Sequence, residues 1–442
     1  MEKADFTQKE SGFLVHFFHI VHDVHGAPLP ITCKDGMPHD TIQDMQTNPQ
    51  PFGPMPTPNR WQIFRTFLLL GCSAFGGPAI IVHLREEIMR RRGWVRVEAF
   101  DDGIGLCQAI PGATGMQMAG YLGLRIGGIR GALAAFVGFG LPAFLLMLAL
   151  SAVYSRTCDL PSILAVFNGL QAVVVALVAH AAWSFGREFV KYWQDALLAV
   201  IVAIYLGLGG VPYIAIPIAA LAGLGIYRRM GTEESPRSPA PYTQRDRAWK
   251  AAVLVVSVAA AGMAVLFCMD RPLFNLAFTM MRIDLFAFGG GYAALPIMLH
   301  EMVDARQWMD TRTFMDGIAL GQITPGPIII TATFVGYMRE GLAGACVATA
   351  GIFLPSFLVL LALAPDFHRL RRHSQVRRVL RGAVASFVGL LLATTAILGT
   401  EVSWNPSLAA VGTAAFIALR MRAEVPWVVL GGACAAWLLQ QV

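Results

Sequence analysis

The stretch LGQITPGPIIITATFVGY, Leu320–Tyr337, contains no charged residue, yet a glutamine, a threonine and a Pro-Gly-Pro sequence lie close to its start. Pro325 has no N–H to donate, and Gly326 lowers helix propensity by about 1 kcal/mol relative to alanine. An apolar helix should therefore break here. What the exposed backbone then contacts depends on the solvent that surrounds the break.

The composition of the chain places this break in a lipid bilayer. Hydrophobic residues make up 56% of the sequence, charged residues only 14%, and the mean hydropathy is +0.57. Charge-free runs long enough to cross ~30 Å of hydrocarbon as helices begin near Thr66, Gly103, Gly131, Leu160, Ala196, Ala251, Gly317, Gly341, Gly382, Val402 and Val425. With the interrupted run Pro272–Leu299 they give about 13 candidate segments, each of which spans or re-enters the bilayer. The runs lack period-two alternation, so they predict an all-α polytopic membrane protein and not a barrel.

Charge and cysteine usage argue against several other classes of protein. The net charge is +6, but most basic residues lie in short loops between apolar runs, where they control topology, so no nucleic-acid partner is expected. The seven cysteines are scattered and contain no C-x-x-C pair, which predicts neither disulfides nor a metal site. Histidines recur every third residue from His16 to His25 without a cysteine or paired carboxylate to complete a ligand set. We therefore expect no metal and no cofactor.

The chain contains an internal repeat. AFDDGIGLCQAIPG, Ala99–Gly112, aligns with TFMDGIALGQITPG, Thr313–Gly326, at an offset of 214 residues, with eight of fourteen positions identical. The same offset pairs Glu87 with Glu301, and an offset of 213 pairs the FGGP that begins at Phe75 with a later FGGG. This similarity predicts two homologous helical domains, each with a broken helix.

The paired Q-x-x-P-G sequences predict a binding site. In hydrocarbon, a helix break is tolerated where protein or a water-filled cavity supplies partners, and half-helix N-termini offer free N–H groups to anions. The amides of Gln108 and Gln322, one turn before the breaks, could donate to an oxyanion. The candidate binding residues here are Gln108, Pro111, Gly112, Gln322, Thr324, Pro325 and Gly326. The alternative is that the breaks are packing kinks and that each glutamine bonds a neighbouring helix.

Two glycine pairs are further candidates for the site. Glycine in membrane helices commonly allows two backbones to approach closely, which is the structural alternative. The first pair, Gly76 and Gly77, precedes a helix-breaking proline, and the second is Gly289 and Gly290. A second discontinuous helix in each repeat is therefore possible.

Charged residues near the apolar segments supply the remaining candidates. Arg85 begins a basic run, which either fixes topology or helps to attract a divalent anion. Arg282 and Asp284 interrupt an apolar segment, where they either pair with each other or let Asp284 couple transport to protons. Glu87 and Glu301, paired by the repeat, are further coupling candidates.

Basic loops predict that the two halves are inverted. The basic loop is the first one in the first half, but the later loop Phe367–Arg381 in the second half. Opposed loops indicate opposed halves, the arrangement used for alternating access. Simple counting places both loops inside only if one segment, for which Gly103–Leu124 is the candidate, is re-entrant.

Four sequence blocks resemble the signatures of the chromate ion transporter (CHR) family in its long-chain, two-domain form. They are FGGPAIIVHLREEIMRRRGWV, GLCQAIPGATGMQMAGYLG, FAFGGGYAALPIMLHEM and GQITPGPIIITATFVGY. The resemblance implies a multi-pass protein of the bacterial inner membrane that exports chromate and confers resistance, with sulfate as competitor. The expected partners are chromate and the lipid bilayer, and a homodimer is compatible with the sequence.

The predicted domains are a tail and linker (1–60), a first repeat (61–227), a linker with a connecting helix (228–272) and a second repeat (273–442). The alternative functions are transport of sulfate or another oxyanion, and a membrane-embedded enzyme. An enzyme would need a cluster of histidines or acids with ligand or general-base spacing, and none is evident in the sequence. No G-x-x-x-x-G-K-[ST] sequence is present, so we do not expect ATP-driven pumping by this chain alone.

Overall fold

A computed structural model describes residues 58–74, 77–158, 160–228, 245–367 and 373–439. All of these lie in one compact unit, Thr57–Val442. The histidine-bearing tail and Gly76 lie outside the described residues.

The described residues form fifteen α-helices and no strands. The helices are α1 (Arg60–Cys72), α2 (Gly77–Leu84), α3 (Val97–Ala109), α4 (Thr114–Thr157), α5 (Pro161–Phe189), α6 (Trp193–Gly207), α7 (Pro212–Ile226), α8 (Arg245–Met269), α9 (Arg271–Phe286), α10 (Ala294–Leu299), α11 (Thr311–Ile323), α12 (Thr331–Leu363), α13 (Ser374–Glu401), α14 (Pro406–Arg420) and α15 (Val425–Leu439). One π-helical turn, Arg85–Arg91, follows α2 and another, His300–Ala305, follows α10. Short 3-10 turns, Gly291–Ala293 and Ile328–Ile330, precede α10 and α12.

The internal repeat is present in the backbone. Helices α1 to α7 recur in the same order as α9 to α15, and α8 lies between the two sets. Backbone positions with positive φ also recur, at Gly93 and Gln307, Gly112 and Gly326, Gly128 and Gly341, and Gly209 and Arg422. A side chain at positive φ is unusual. Gln307 and Arg422 correspond to glycines in the first repeat, and each retains the positive φ of the equivalent turn.

Helices α4 and α12 each consist of two antiparallel arms. The backbone leaves helical geometry at Gly127 and Gly128 in α4, and at Glu340 and Gly341 in α12. A Cβ built on Gly123 would lie 2.4 Å from the carbonyl oxygen of Gly131, so the arms 114–126 and 129–157 touch face to face. Four helical segments, 114–157, 166–189, 328–363 and 374–401, are long and apolar enough to cross a bilayer. The first and third of these hold a half-length arm followed by a full-length arm.

Each half-length arm forms a second hairpin with the helix before it. A Cβ on Gly103 of α3 would lie 2.5 Å from the ring of Tyr121 in the first arm of α4, and one on Gly317 of α11 would lie 2.4 Å from Phe334. The segment Gly103–Leu124 therefore turns back on itself, as a re-entrant segment does. The chain reverses at Pro-Gly, which confirms the predicted break.

The two halves are inverted and interlocked. The ring of Tyr154, near the end of α4, packs against the ring of Phe334, in the first arm of α12, with 5.1 Å between the ring centroids. A Cβ on Gly120, in the first arm of α4, would lie 3.0 Å from Leu360, near the end of α12. The full-length arms thus run in opposite directions. Across the halves, α5 packs against α14 and α15, while its counterpart α13 packs against α6 and α7.

These packing directions place the described residues of the two basic loops on one face. The α3 hairpin begins on the side where α4 reverses, and α5 returns to that side before α6. Arg381, near the start of α13, donates to Asp195, near the start of α6, at 2.7 Å. The loops 92–96, 127–128, 190–192 and the start of α13 thus define one surface, here named the basic face. The end of α4 at Cys158, the loop 306–310 and the turn 340–341 define the opposite face.

The count of apolar segments differs from the structure in one respect. The apolar runs near Gly103 and Gly317 were counted as single segments, yet each contains a hairpin. A straight helix and two antiparallel helical arms can have the same apolar length and the same helical periodicity. Neither property of the sequence therefore reveals where the chain reverses.

Close packing of the hairpin arms yields a first prediction. Gly344→Ala should lower the thermal stability of the detergent-solubilised protein, because its Cβ would lie 2.1 Å from the carbonyl oxygen of Gly336. The matched control is Gly262→Ala in α8, where nothing lies within 4 Å and alanine raises helix propensity by about 1 kcal/mol. Melting curves followed by size-exclusion chromatography measure both. Equal melting temperatures would show that the arms separate without cost.

Candidate functional site

The tips of the two hairpins meet near the centre of the molecule. The N–H of Gly112 donates to the carbonyl of Ala287 at 3.0 Å, and the N–H of Gly326 donates to that of Ala74 at 2.7 Å. Each acceptor precedes the Phe-Gly-Gly sequence of the opposite repeat. The two bonds are equivalent under the internal symmetry, and each joins one half of the molecule to the other.

The tips require glycine for two reasons. The φ angles are +111° at Gly112 and +116° at Gly326, in a region that L side chains rarely adopt. A Cβ would also lie 2.4 Å from Cβ of Ser356 at the first tip and 2.9 Å from Cβ of Ala143 at the second. Both predicted Pro-Gly breaks therefore lie where the two halves are in close contact.

A cavity of about 360 Å³ lies between the tips. The predicted residues that line it are Gln108, Gln322, Thr324, Gly326, Gly289 and Gly290. Thr114 and Gly115, at the start of α4, also line it, as do Tyr292, Phe185 and Glu188. Of the described lining residues, Glu188 alone carries a charge. The cavity is thus bounded mainly by neutral polar groups, glycines and apolar side chains.

The polar atoms around the cavity include several hydrogen-bond donors. Gln322 is buried, and its Nε2 has no hydrogen-bond partner among the described residues. The first N–H groups of α4 have no partner within that helix, which is the general condition of a helix N-terminus. Thr324 donates its hydroxyl to the carbonyl of Gly321 at 2.8 Å. Gln108 is exposed and lines the same cavity as the residues of the second hairpin.

The remaining predicted site residues lie beside or away from this cavity. Pro111 accepts a hydrogen bond from Gln117 through its carbonyl oxygen, and Pro325 is not among the lining residues. Gly77 begins α2, while its partner Gly76 is outside the described residues. The guanidinium of Arg85 bonds Asp101 at 2.5 Å and does not line the cavity.

Glu87 and Glu301 belong to a duplicated structural motif. Arg92 bonds Glu87 at 2.7 Å and Arg306 bonds Glu301 at 2.9 Å, in equivalent π-helical turns. Each arginine also lies over a tryptophan ring, Trp94 at 4.9 Å and Trp308 at 5.1 Å to the centroid. Both glutamates are therefore ion-paired at the ends of the short helices.

Asp284 is fully buried beside the first tip. Its Oδ2 accepts from the N–H of Ser356 at 2.7 Å, and its Oδ1 has no partner among the described residues. A Cβ on Gly112 would lie 2.9 Å from that Oδ1. Arg282 contacts Glu301 and lies over the Tyr213 ring at 4.3 Å. The proposed pairing of Arg282 with Asp284 is therefore wrong, because the two side chains lie on different sides of α9.

A second cavity of about 680 Å³ adjoins the first towards the basic face. Gln108, Glu188 and Phe189 line both cavities. The second is also lined by Lys191, Arg377 and Arg381. Positive charge thus lies next to the first cavity and not inside it.

Sequence reasoning missed Glu188 and Asp316. Glu188 pairs with Glu401 at an offset of 213, and Asp316 with Asp102 at 214, inside the aligned block itself. The repeat alone could have selected both. Among the described residues, no group of three or more His, Cys, Asp and Glu side chains is placed to hold a metal ion.

The tip glycines yield a second prediction. Gly112→Ala and Gly326→Ala should each destabilise the protein by more than the ~1–2 kcal/mol that positive φ costs an L residue, since a Cβ would separate the halves. Gly93→Ala is the matched control, because its φ is +62° and nothing lies within 4 Å of its Cβ position. Thermal melting of the purified variants compares the three. Similar losses at all three sites would mean that backbone strain, not contact between the halves, selects glycine.

The chromate transporter family profile matches residues 61–226 and 274–437. An uncharacterised transporter of Methanocaldococcus jannaschii is 39% identical over 373 residues, 84% of this chain and 92% of the relative. Chromate transport proteins of Pseudomonas aeruginosa and Cupriavidus metallidurans are 32% and 31% identical, each over 86% of this chain and 92% of the relative. No solved structure matches the chain.

Proposed function

Because this chain belongs to the chromate transporter family, a family of multi-pass plasma-membrane proteins, we propose that it exports chromate from the cytoplasm and so confers chromate resistance. The observation that carries the proposal is the cavity between the two hairpin tips, lined by Gln108, Gln322 and the N-terminal turn of α4. Amide and backbone N–H donors at a helix N-terminus suit a compact oxyanion. A cation would find few acceptors there other than Glu188.

The charge of the loops orients the protein in the membrane. The basic face carries the basic loops of both halves, and loops rich in Lys and Arg remain in the cytoplasm. The cavity adjoins this face through the second, basic cavity. We therefore assign the structure to a state in which the site is open to the cytoplasm and closed to the outside.

The electrical gradient also favours export. A dianion leaving a cell with a negative interior gains about 4.6 kcal/mol at 100 mV. Coupling to protons is therefore not required for outward movement. Sulfate shares the shape and charge of chromate and is the expected competitor, and transport of sulfate or another oxyanion is the second candidate function. A membrane-embedded enzyme has no observation in its favour.

Transport itself is the third prediction. Inverted vesicles that contain this protein should accumulate radiolabelled chromate, and excess sulfate should inhibit uptake. Gln108→Ala and Gln322→Ala should each reduce uptake tenfold or more, as expected if hydrogen bonds to a dianion are lost. Gln62→Ala is the control, because Gln62 is exposed and caps the N-terminus of α1, away from the cavity. Uptake equal to that of empty vesicles would contradict the proposed function. Near-normal uptake by both cavity variants would reject only the role of the glutamines.

Asp284 is the residue that we propose for proton coupling. It is buried, one carboxylate oxygen has no partner among the described residues, and it touches the tip whose backbone lines the site. Gly71 is its counterpart in the first repeat, so only one half carries a carboxylate at this position. A proton bound here would alter the contact between the first tip and α12.

The fourth prediction tests this role. Asp284→Asn should abolish any effect of an imposed pH gradient on chromate uptake, because asparagine cannot exchange a proton. Uptake driven by membrane potential alone should persist in the same vesicles. The comparison is made at equal protein content, with and without the gradient. Unchanged pH dependence in the Asn variant would remove Asp284 as the carrier and leave export intact.

A further inference from the structure

Asp316 joins the second hairpin to the first repeat. It lies in α11 and is only 7% exposed. Its Oδ2 accepts from the hydroxyl of Tyr154 at 2.8 Å, and its Oδ1 accepts from Nε2 of Gln171 at 3.2 Å. Tyr154 belongs to α4 and Gln171 to α5, so both donors come from the other half of the molecule.

Asp316, Tyr154 and Gln171 lie nearer to the opposite face than to the basic face. Tyr154 is near the end of α4, and Asp316 is near the start of α11, just after the loop 306–310. No Lys or Arg among the described residues lies within ion-pair distance of the Asp316 carboxylate. Two neutral donors therefore stabilise it, and both are withdrawn if α11 moves away from α4 and α5.

The equivalent position in the first repeat, Asp102, has different neighbours. Asp102 is partly exposed. The repeat pairs Tyr154 with Phe367 and Gln171 with Val384, and neither of these two counterparts has a side-chain donor. Burial also differs between the helices that precede the two hairpins, α2 and α10. Val82 in α2 is 67% exposed, whereas its counterpart Leu295 in α10 is fully buried.

The difference between the halves has a direct meaning in an inverted repeat. If the two hairpins exchange their conformations, the face that is closed becomes open and the open face closes. The bonds from Asp316 to Tyr154 and Gln171, whose counterparts in the first repeat are Phe367 and Val384, are then the contacts that must break when the opposite face opens.

We propose that Asp316, Tyr154 and Gln171 form a latch that holds the opposite face closed while the site is open to the basic face. The proposal rests on the proposed function as a transporter with alternating access, but not on the identity of the transported anion. Opening requires α11 to leave α4 and α5, which transfers the carboxylate from two protein donors to water. The latch residues set the ratio of the two states without touching the substrate.

Cysteine labelling tests this latch. The reporter is Ala319→Cys, one turn beyond Asp316 and 1% exposed, in a variant whose native cysteines are replaced and which elutes as one folded species on size-exclusion chromatography. A membrane-impermeant maleimide is applied from the opposite face. Tyr154→Phe and Asp316→Ala should each raise the rate of labelling on the order of tenfold, since each removes a hydrogen bond to a carboxylate. Asp316→Asn retains an acceptor oxygen and should give an intermediate rate.

The matched control is Tyr337→Phe. Tyr337 lies in the first arm of α12 near the same face, and its hydroxyl makes no hydrogen bond among the described residues. Labelling of the reporter should stay at the parent rate in this variant. An equal rise in the control would show that any loss of a hydroxyl loosens this face, and would overturn the latch.

A second reporter separates a change of state from local loosening. Val82→Cys lines the cavity and is modified first with a bulky reagent from the basic face, which prevents that face from closing. The latch requires that this block returns Ala319→Cys labelling to the parent rate in the Tyr154→Phe variant. Labelling that stays high after the block would mean local loosening, and unchanged labelling before it would mean that these bonds do not hold the face closed; either overturns the proposal. Both readouts are independent of chromate uptake, so failure of the proposed substrate leaves the test intact.

Discussion

Two reciprocal backbone hydrogen bonds hold the centre of this protein together, from Gly112 to Ala287 and from Gly326 to Ala74. A chain reversal inside a bilayer leaves N–H and C=O groups that lipid cannot satisfy. Here each reversal is satisfied by the other half, so neither hairpin is complete alone. The same bonds bring the two half-length arms and both glutamines to one cavity. Folding of the repeats and formation of the site thus depend on one contact.

Much of this arrangement could be predicted from the sequence, because duplication makes a functional pattern appear twice. The Pro-Gly breaks and the cavity glutamines were expected from the alignment of Ala99–Gly112 with Thr313–Gly326, and the inverted halves were expected from the positions of the basic loops. The hairpin reversals at Gly127 and Glu340 were not, since apolar length carries no sign of direction. Arg85 was a candidate either for fixing topology or for attracting the anion, and in the structure it bonds Asp101 outside the cavity. Which opposite charge an exposed arginine meets depends on the fold and not on its neighbours in sequence.

The differences between the repeats are as informative as their similarity. Duplicated features, such as the arginine over tryptophan in each π-helical turn, stabilise equivalent corners of the fold. Features found once, such as Asp284 and the partners of Asp316, lie where the halves meet. If the two halves were identical, the state open to one face and the state open to the other would have equal free energy, since a two-fold rotation would interchange them. In the proposed latch, the donors Tyr154 and Gln171 are present in the first repeat, and their counterparts Phe367 and Val384 have no donor, so the two states are not equal.

The distribution of charge separates attraction from binding. Arg381 is bonded to Asp195, and with Lys191 it lines the outer, second cavity. The inner cavity holds no cation among its described lining residues. A dianion fixed by a buried arginine would leave slowly, because breaking a charge-assisted bidentate bond costs more than breaking neutral hydrogen bonds. Transport requires binding that is strong enough for entry and weak enough for release, a condition that neutral donors at a helix terminus meet. In the proposed cycle, basic residues concentrate the anion at the entrance, and the hairpin tips release it on the other side.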